Sequence, residues 1–282
     1  MAVRGTGAAR LKAAPTATAI AVAVLVVVIA AVTSALVAPG PGRPDASAAV
    51  RSGSTASRPA SGLPHTDDIS GPTRALTNGP AVPVSIQHAT ELGGRSVGIT
   101  IDDGPDPRWT PLVLDVLRRH HVHATFCMIG PQARANPALV RRIVAEGHRL
   151  CDHTVHHDTA MDHKSFAYRR GEILDALTMI KDASGGARVF YYRAPGGAFT
   201  PADRTLAAQH GMRPLGWNID TKDFSRPGAA AILATLEHEI HNGPVILFHD
   251  GGGDRSQTVT ALDESLTWLH QQGYAISFPA VG

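Results

Sequence analysis

Residues 97–105 read V-G-I-T-I-D-D-G-P. Val97, Ile99 and Ile101 alternate with Gly98 and Thr100, the period of a short buried strand. Gly104-Pro105 then turns the chain. The strand therefore ends on two adjacent carboxylates, Asp102 and Asp103. Each charge raises the pKa of the other. A metal ion relieves that repulsion, so that one acid coordinates while the other stays a base. The competing reading is a polar turn without chemistry.

Downstream, strand-like runs alternate with helical patterns. Strands are expected at 124–129, 148–152, 189–192, 212–218, 245–248 and 274–278. Helices are expected at 109–120, from Asn136-Pro137 to Gly147, at 165–183, from Thr200-Pro201 to Gly211, and at 229–241 and 258–272. Asn or Thr followed by Pro supplies an N-cap and a first helical residue. This alternation predicts parallel strands. Seven strands are too few for the regular eightfold barrel, so a distorted barrel is expected, with an open doubly wound sheet as the alternative. In both architectures function gathers where the strands end. The strand ends here carry Asp102-Asp103, His153-Thr154-Val155-His156-His157, Arg193-Ala194-Pro195-Gly196-Gly197, Asp220 with Asp223, and His249-Asp250. His153 and His157, four apart, present two imidazoles to one side and with one acid form a metal site with open positions. His120, His121 and His123 are read as solvated, and Asp106 as a turn residue.

Upstream of the folded domain the chain is of another kind. The 282 residues carry a net charge of +2, which gives no reason to expect a nucleic-acid partner. No charge lies between Lys12 and Arg43, and 17–38 is apolar and long enough to span a bilayer. Arg4, Arg10 and Lys12 precede it and keep the amino terminus cytoplasmic. The segment is read as a membrane anchor, or as a signal peptide cleaved near Ala46-Ser47-Ala48; either exports the rest of the chain. Pro, Gly, Ser and Ala dominate from there to residue 83, as in a disordered linker. The expected division is 1–12 cytoplasmic, 13–38 hydrophobic helix, 39–83 linker and 84–282 catalytic domain.

T-I-D-D-G-P, H-T-V-H-H, R-A-P-G-G, W-N-I-D-T-K-D-F and L-F-H-D stand in the order and approximate spacing of the polysaccharide deacetylases, carbohydrate esterase family 4 with the NodB homology domain. The chain resembles that family over about 95–278. The resemblance implies a distorted seven-stranded parallel (β/α) barrel. It implies a metal triad of Asp103, His153 and His157, usually holding zinc, with cobalt or another divalent ion as the alternative. It implies Asp102 as the general base, Arg193 as its partner, His249 as the general acid and Asp223 as the residue that tunes it, with Asp220 as a substitute. Phe224 and Leu247 resemble the acetyl pocket, with Trp217 beside them, and Gly196 supplies a backbone donor. Gly196 stands where the family often has an aromatic residue, and Phe224 where Trp is common, so substrate preference is left open. The implied activity is removal of acetyl groups from N-acetylglucosamine-type units of a wall or extracellular polysaccharide, by a monomer outside the cytoplasm. The alternatives are an O-acetyl esterase acting on xylan and a non-catalytic wall-binding protein.

Cys127 and Cys151 are the only cysteines. They lie on consecutive expected strands of an exported domain, where a disulfide can form. The alternative is two buried thiols.

Overall fold

β1, Ser96–Asp102, is buried at every position and lies near the middle of the sheet. Its odd-numbered side chains, Val97, Ile99 and Ile101, join the main hydrophobic core. That core also holds Val113, Leu114 and Leu117 of α1, Thr110–Arg119, and Leu262, Leu266 and Leu269 of α7, Ser256–Gln271. The even-numbered Thr100 and Asp102 meet Arg193 on the opposite face. Strand alternation thus sends apolar groups outward, beneath the helices, and polar ones inward. The computed structural model describes Met1, Ala2 and residues 81–282. The hydrophobic segment expected at 13–38 and the linker as far as residue 80 lie outside the described residues.

After β1 and α1 come β2, Thr125–Met128; α2, Gly130–Ala135; α3, Pro137–Ala145; and β3, Arg149–Asp152. Then follow α4, Phe166–Ser184; β4, Val189–Tyr192; α5, Pro201–Gln209; β5, Arg213–Pro214; β6, Ile219–Asp220; α6, Ala229–Glu239; β7, Val245–His249; α7; and β8, Ala275–Ile276. Seven strands run in the order β5-β4-β3-β2-β1-β7-β6, all parallel. β8 pairs with Ser96 and Val97 at the start of β1. The sheet curls into a partial barrel with its helices outside, as expected.

The single strand expected over 212–218 is instead the two-residue β5 followed by a crossover, and β6 begins only at Ile219, on the opposite edge of the sheet. The residues between them cross from edge to edge. Leu215 N–H donates to Tyr192 O, Gly216 N–H to Gln87 O, and Asn218 N–H to Val245 O. Backbone groups must find partners wherever they are buried, and here the partners change along one short run.

Ser165 and Thr200 cap α4 and α5 through Tyr168 N–H and Asp203 N–H. Asn136 does not cap α3 through its side chain, which donates instead to Gln132 O and Pro105 O. The barrel interior holds a small second cluster of Cys127, Cys151, Tyr191, Leu215 and Val245. Cys127 lies directly opposite Cys151 in the β2–β3 register, and the two form a disulfide with a Cα–Cα separation of 4.1 Å. Asp102 pairs with Cys127 on one side and His249 on the other. One inward-facing layer thus carries the disulfide, a carboxylate and an imidazole.

Candidate functional site

The strand ends converge on a pocket of about 400 Å³ lined by Asp102, Asp103, His153, His157, Trp217, Phe224, Leu247 and His249, with Thr159, Gly196 and Asp220 at its wall. Asp102 enters from the barrel layer and is nearly inaccessible. Arg193, fully buried at the end of β4, donates to Asp102 Oδ1 at 2.7 Å and to Thr100 Oγ1 at 2.9 Å. Its remaining donors go to Leu215 O and Gly216 O. A buried charge pair is sustained only when its other hydrogen-bonding groups are also satisfied; the crossover between β5 and β6 satisfies them. Burial raises the Asp102 pKa, against the opposing pull of Arg193.

Asp103, His153 and His157 bring one ligand atom each within 4.8 Å of one another. His157 Nε2 lies 3.3 Å and His153 Nε2 3.6 Å from Asp103 Oδ1. That oxygen is buried and has no hydrogen-bond partner. His153 Nδ1 donates to Arg193 O at 2.8 Å, which fixes the ring and turns Nε2 toward the cluster. Burial drops the His153 pKa to about 3, leaving a neutral imidazole. An orphaned carboxylate oxygen facing two imidazoles fits a divalent cation with an N/O ligand set.

The backbone at this cluster is strained. Asp103, Thr154 and His157 have φ of 76°, 68° and 53°. Such conformations cost of order 1–3 kcal/mol each and need surrounding support. Asp152 Oδ1 accepts from Thr154 N–H, and Thr154 Oγ1 from His157 N–H. Glu172, buried on α4, accepts from Val155 N–H, His156 N–H and His156 Nδ1. Glu172 was not foreseen from the sequence. The available signal was a charged residue in helical register with Ala176 and Ile180 on the buried face of α4.

Across the pocket, His249 Nδ1 donates to Asp223 Oδ1 at 2.7 Å, which leaves Nε2 for the pocket. Asp223 also accepts from His249 N–H and from Thr258 Oγ1. Burial alone lowers the His249 pKa. The Asp223 hydrogen bond and the charges of Asp223, Asp102 and Asp103 outweigh it and lift the value to about 9. Of the two aspartates considered for this position, Asp223 is the one hydrogen-bonded to His249. Asp220 sits at the pocket wall and pairs with Lys222 at 2.6 Å. The Phe224 ring stands edge-on to His249 at 5.5 Å between centroids and is exposed, whereas Leu247 is buried. Asp250, which sequence reasoning left unassigned, lies beneath the Gly104 turn, accepts from Thr110 Oγ1 and has its pKa pushed by burial to about 7.

Residues outside the pocket have structural explanations. Asp106 Oδ1 accepts from Arg108 and Trp109 N–H at the start of α1, as a turn residue does. His120 is not solvated as expected; it is half-buried and hydrogen-bonds Asp263 at 2.7 Å.

Residues 89–215 match the model of the polysaccharide deacetylase family. The chain is 39% identical over 197 residues to a chitooligosaccharide deacetylase of Sinorhizobium fredii, covering 65% of this chain and 90% of that one. It is 38% identical over 182 residues to a peptidoglycan-N-acetylglucosamine deacetylase of Bacillus cereus, covering 64% of this chain and 84% of the other. A solved structure of a peptidoglycan N-acetylglucosamine deacetylase superposes with a TM-score of 0.63 at 28% identity, over 68% of this chain and 89% of that one.

Proposed function

The chain belongs to the polysaccharide deacetylase family, and from that footing we propose that it is an exported, metal-dependent enzyme removing N-acetyl groups from N-acetylglucosamine-type units of peptidoglycan or a related wall polymer. One observation carries the reading: a three-residue donor set lines one pocket together with Asp102 of a buried Asp–Arg pair and His249 of a buried His–Asp pair.

Asp103, His153 and His157 would hold the cation, for which zinc is the expected ion. A divalent cation bound there supplies Lewis acidity toward the amide carbonyl and an incoming water. Asp102 takes the proton of that water. Arg193 keeps the carboxylate aimed at the pocket and opposes its protonation. Gly196, with φ of 59° at the pocket wall, offers its N–H to the developing oxyanion. Phe224, Leu247 and Trp217 surround the acetyl group and exclude water. His249 delivers a proton to the departing nitrogen.

The protonation of His249 favours amide over ester cleavage. An amine leaves poorly without a proton, whereas a sugar alkoxide needs it less. An imidazole with a pKa of about 9 is already charged at neutral pH. Acetate release from N-acetylglucosamine oligomers, from peptidoglycan and from acetylated xylan tests the reading. Release from the first two is the expected result. Release from xylan alone establishes an O-acetyl esterase, and release from none a binding protein. Export rests on the hydrophobic segment at 13–38 and its preceding basic residues. A reporter enzyme active only outside the cytoplasm, fused after residue 83, should be active.

A further inference from the structure

We propose that the cleft beside Trp217 is a second sugar subsite, which binds the pyranose ring of the unit adjoining the one that is deacetylated. The inference rests on the proposed glycan substrate. The cleft has a volume of about 180 Å³ and is lined by Ile86, His88, Gly197, Phe199, Gly216 and Trp217. Trp217 also lines the catalytic pocket, so the two spaces share one indole wall. A polymer threaded through the catalytic pocket must leave it over some part of the rim, and this cleft adjoins the pocket at Trp217 and at the neighbouring Gly196 and Gly197. The cleft is smaller than pockets that enclose whole drug-sized ligands, which suits one ring of a longer ligand.

The walls are built by specific residues. Trp217 lies against Gly197, where a Cβ would meet the indole at 3.3 Å. The indole also stands 5.6 Å from the guanidinium carbon of Arg193, the partner of Asp102. At Gly216 the His88 ring occupies the space a side chain would need. Two glycines thus let an indole and an imidazole close on the cleft from different sides. The segment carrying Ile86 and His88 precedes the barrel and is fastened to it. Gln87 N–H donates to Pro214 O at 2.8 Å, and Gly216 N–H to Gln87 O at 3.0 Å. The Gln87 side-chain oxygen accepts from His88 and Ala89 N–H.

The chemistry of the lining identifies the ligand. Indole, phenyl and isoleucine surfaces suit the apolar C–H face of a pyranose. His88 and the backbone suit its hydroxyl edge. No carboxylate, lysine or arginine lines the cleft, so it suits an uncharged ring. The missing aromatic residue at Gly196 is answered here, because Trp217 crosses the neighbouring Gly197 and provides the aromatic surface.

The test is a length series of N-acetylglucosamine, its dimer and its tetramer, run on the wild type and on an Ile86→Asp/His88→Ala variant. Acetate release and calorimetric binding are both measured. The wild type should gain kcat/KM and affinity with length, and the variant should lose about tenfold of that gain. His88→Ala alone, at an exposed position, replaces the double variant should the latter unfold. Identical length profiles in the two proteins overturn the subsite. Acetate release by the wild type from acetylated xylan alone refutes the N-acetyl reading separately. The same comparison on acetylated xylo-oligosaccharides then decides the subsite, again by whether the profiles differ. For a protein inactive on every substrate, the binding profiles decide it in the same way.

Discussion

Replacing Asp223 with Asn keeps the shape beside His249 and removes the charge. In the wild type the His249 pKa is about 9, some 2.5 units above the ordinary imidazole value of about 6.5. Each unit is 1.36 kcal/mol, so Asp223 and the weaker pulls of Asp102 and Asp103 supply about 3 kcal/mol after overcoming burial. In the variant, burial again dominates and the pKa falls to about 6.5 or below. At pH 7.5 the charged fraction of His249 then falls from near unity to about a tenth. Two assays read this. NMR titration of the His249 ring is done in protein freed of metal, since a nearby cation would itself depress the value. The pH profile of acetate release, read with the metal bound, should have its basic limb at lower pH in the variant than in the wild type. Stability follows the same sign. The raised imidazole pKa stabilises the fold fully below about pH 6.5, and this contribution is lost as pH rises through about 9. The depressed Asp223 carboxyl contributes above its ordinary value of 3.8 and is lost as pH falls through its lowered value. The stability difference between wild type and variant should therefore be largest near pH 5–6 and shrink toward pH 10. A His249 titration unmoved by Asp223→Asn refutes the reasoning.

Asp102→Asn should abolish acetate release while keeping the metal, whereas Asp103→Asn and His153→Ala should lose both; metal analysis of the purified variants checks this, and the reverse pattern would exchange the two aspartates. Glu172→Ala should weaken metal affinity about 10–100-fold, the usual cost of losing support behind ligands, with Glu172→Gln recovering part of it in a competition titration against a chelator. Reducing the Cys127–Cys151 disulfide should cost about 3 kcal/mol in urea unfolding, from the chain freedom regained over a separation of 24 residues. Thiol titration of the denatured, unreduced protein should find no free thiol.

The parts of this site legible in the sequence were those set by local pattern. Alternation of Val97, Ile99 and Ile101 marked β1, and the polar clusters marked where strands end. The motif resemblance then assigned Asp102, Asp103, His153, His157, Arg193, Asp223 and His249 to one pocket, where the structure brings them together. What escaped depends on partners distant in sequence. The early end of β5 and the crossover to β6 are decided by Gln87, Tyr192 and Val245. The disulfide is decided by a β2–β3 register that no local pattern encodes. The support from Glu172 depends on how α4 lies against the loop carrying the histidines.

The most direct test is acetate release from N-acetylglucosamine oligomers by protein stripped of metal and then titrated with zinc. The stripped protein should be inactive, and activity should rise to a plateau at one zinc ion per chain. Full activity in the rigorously stripped protein would contradict the account.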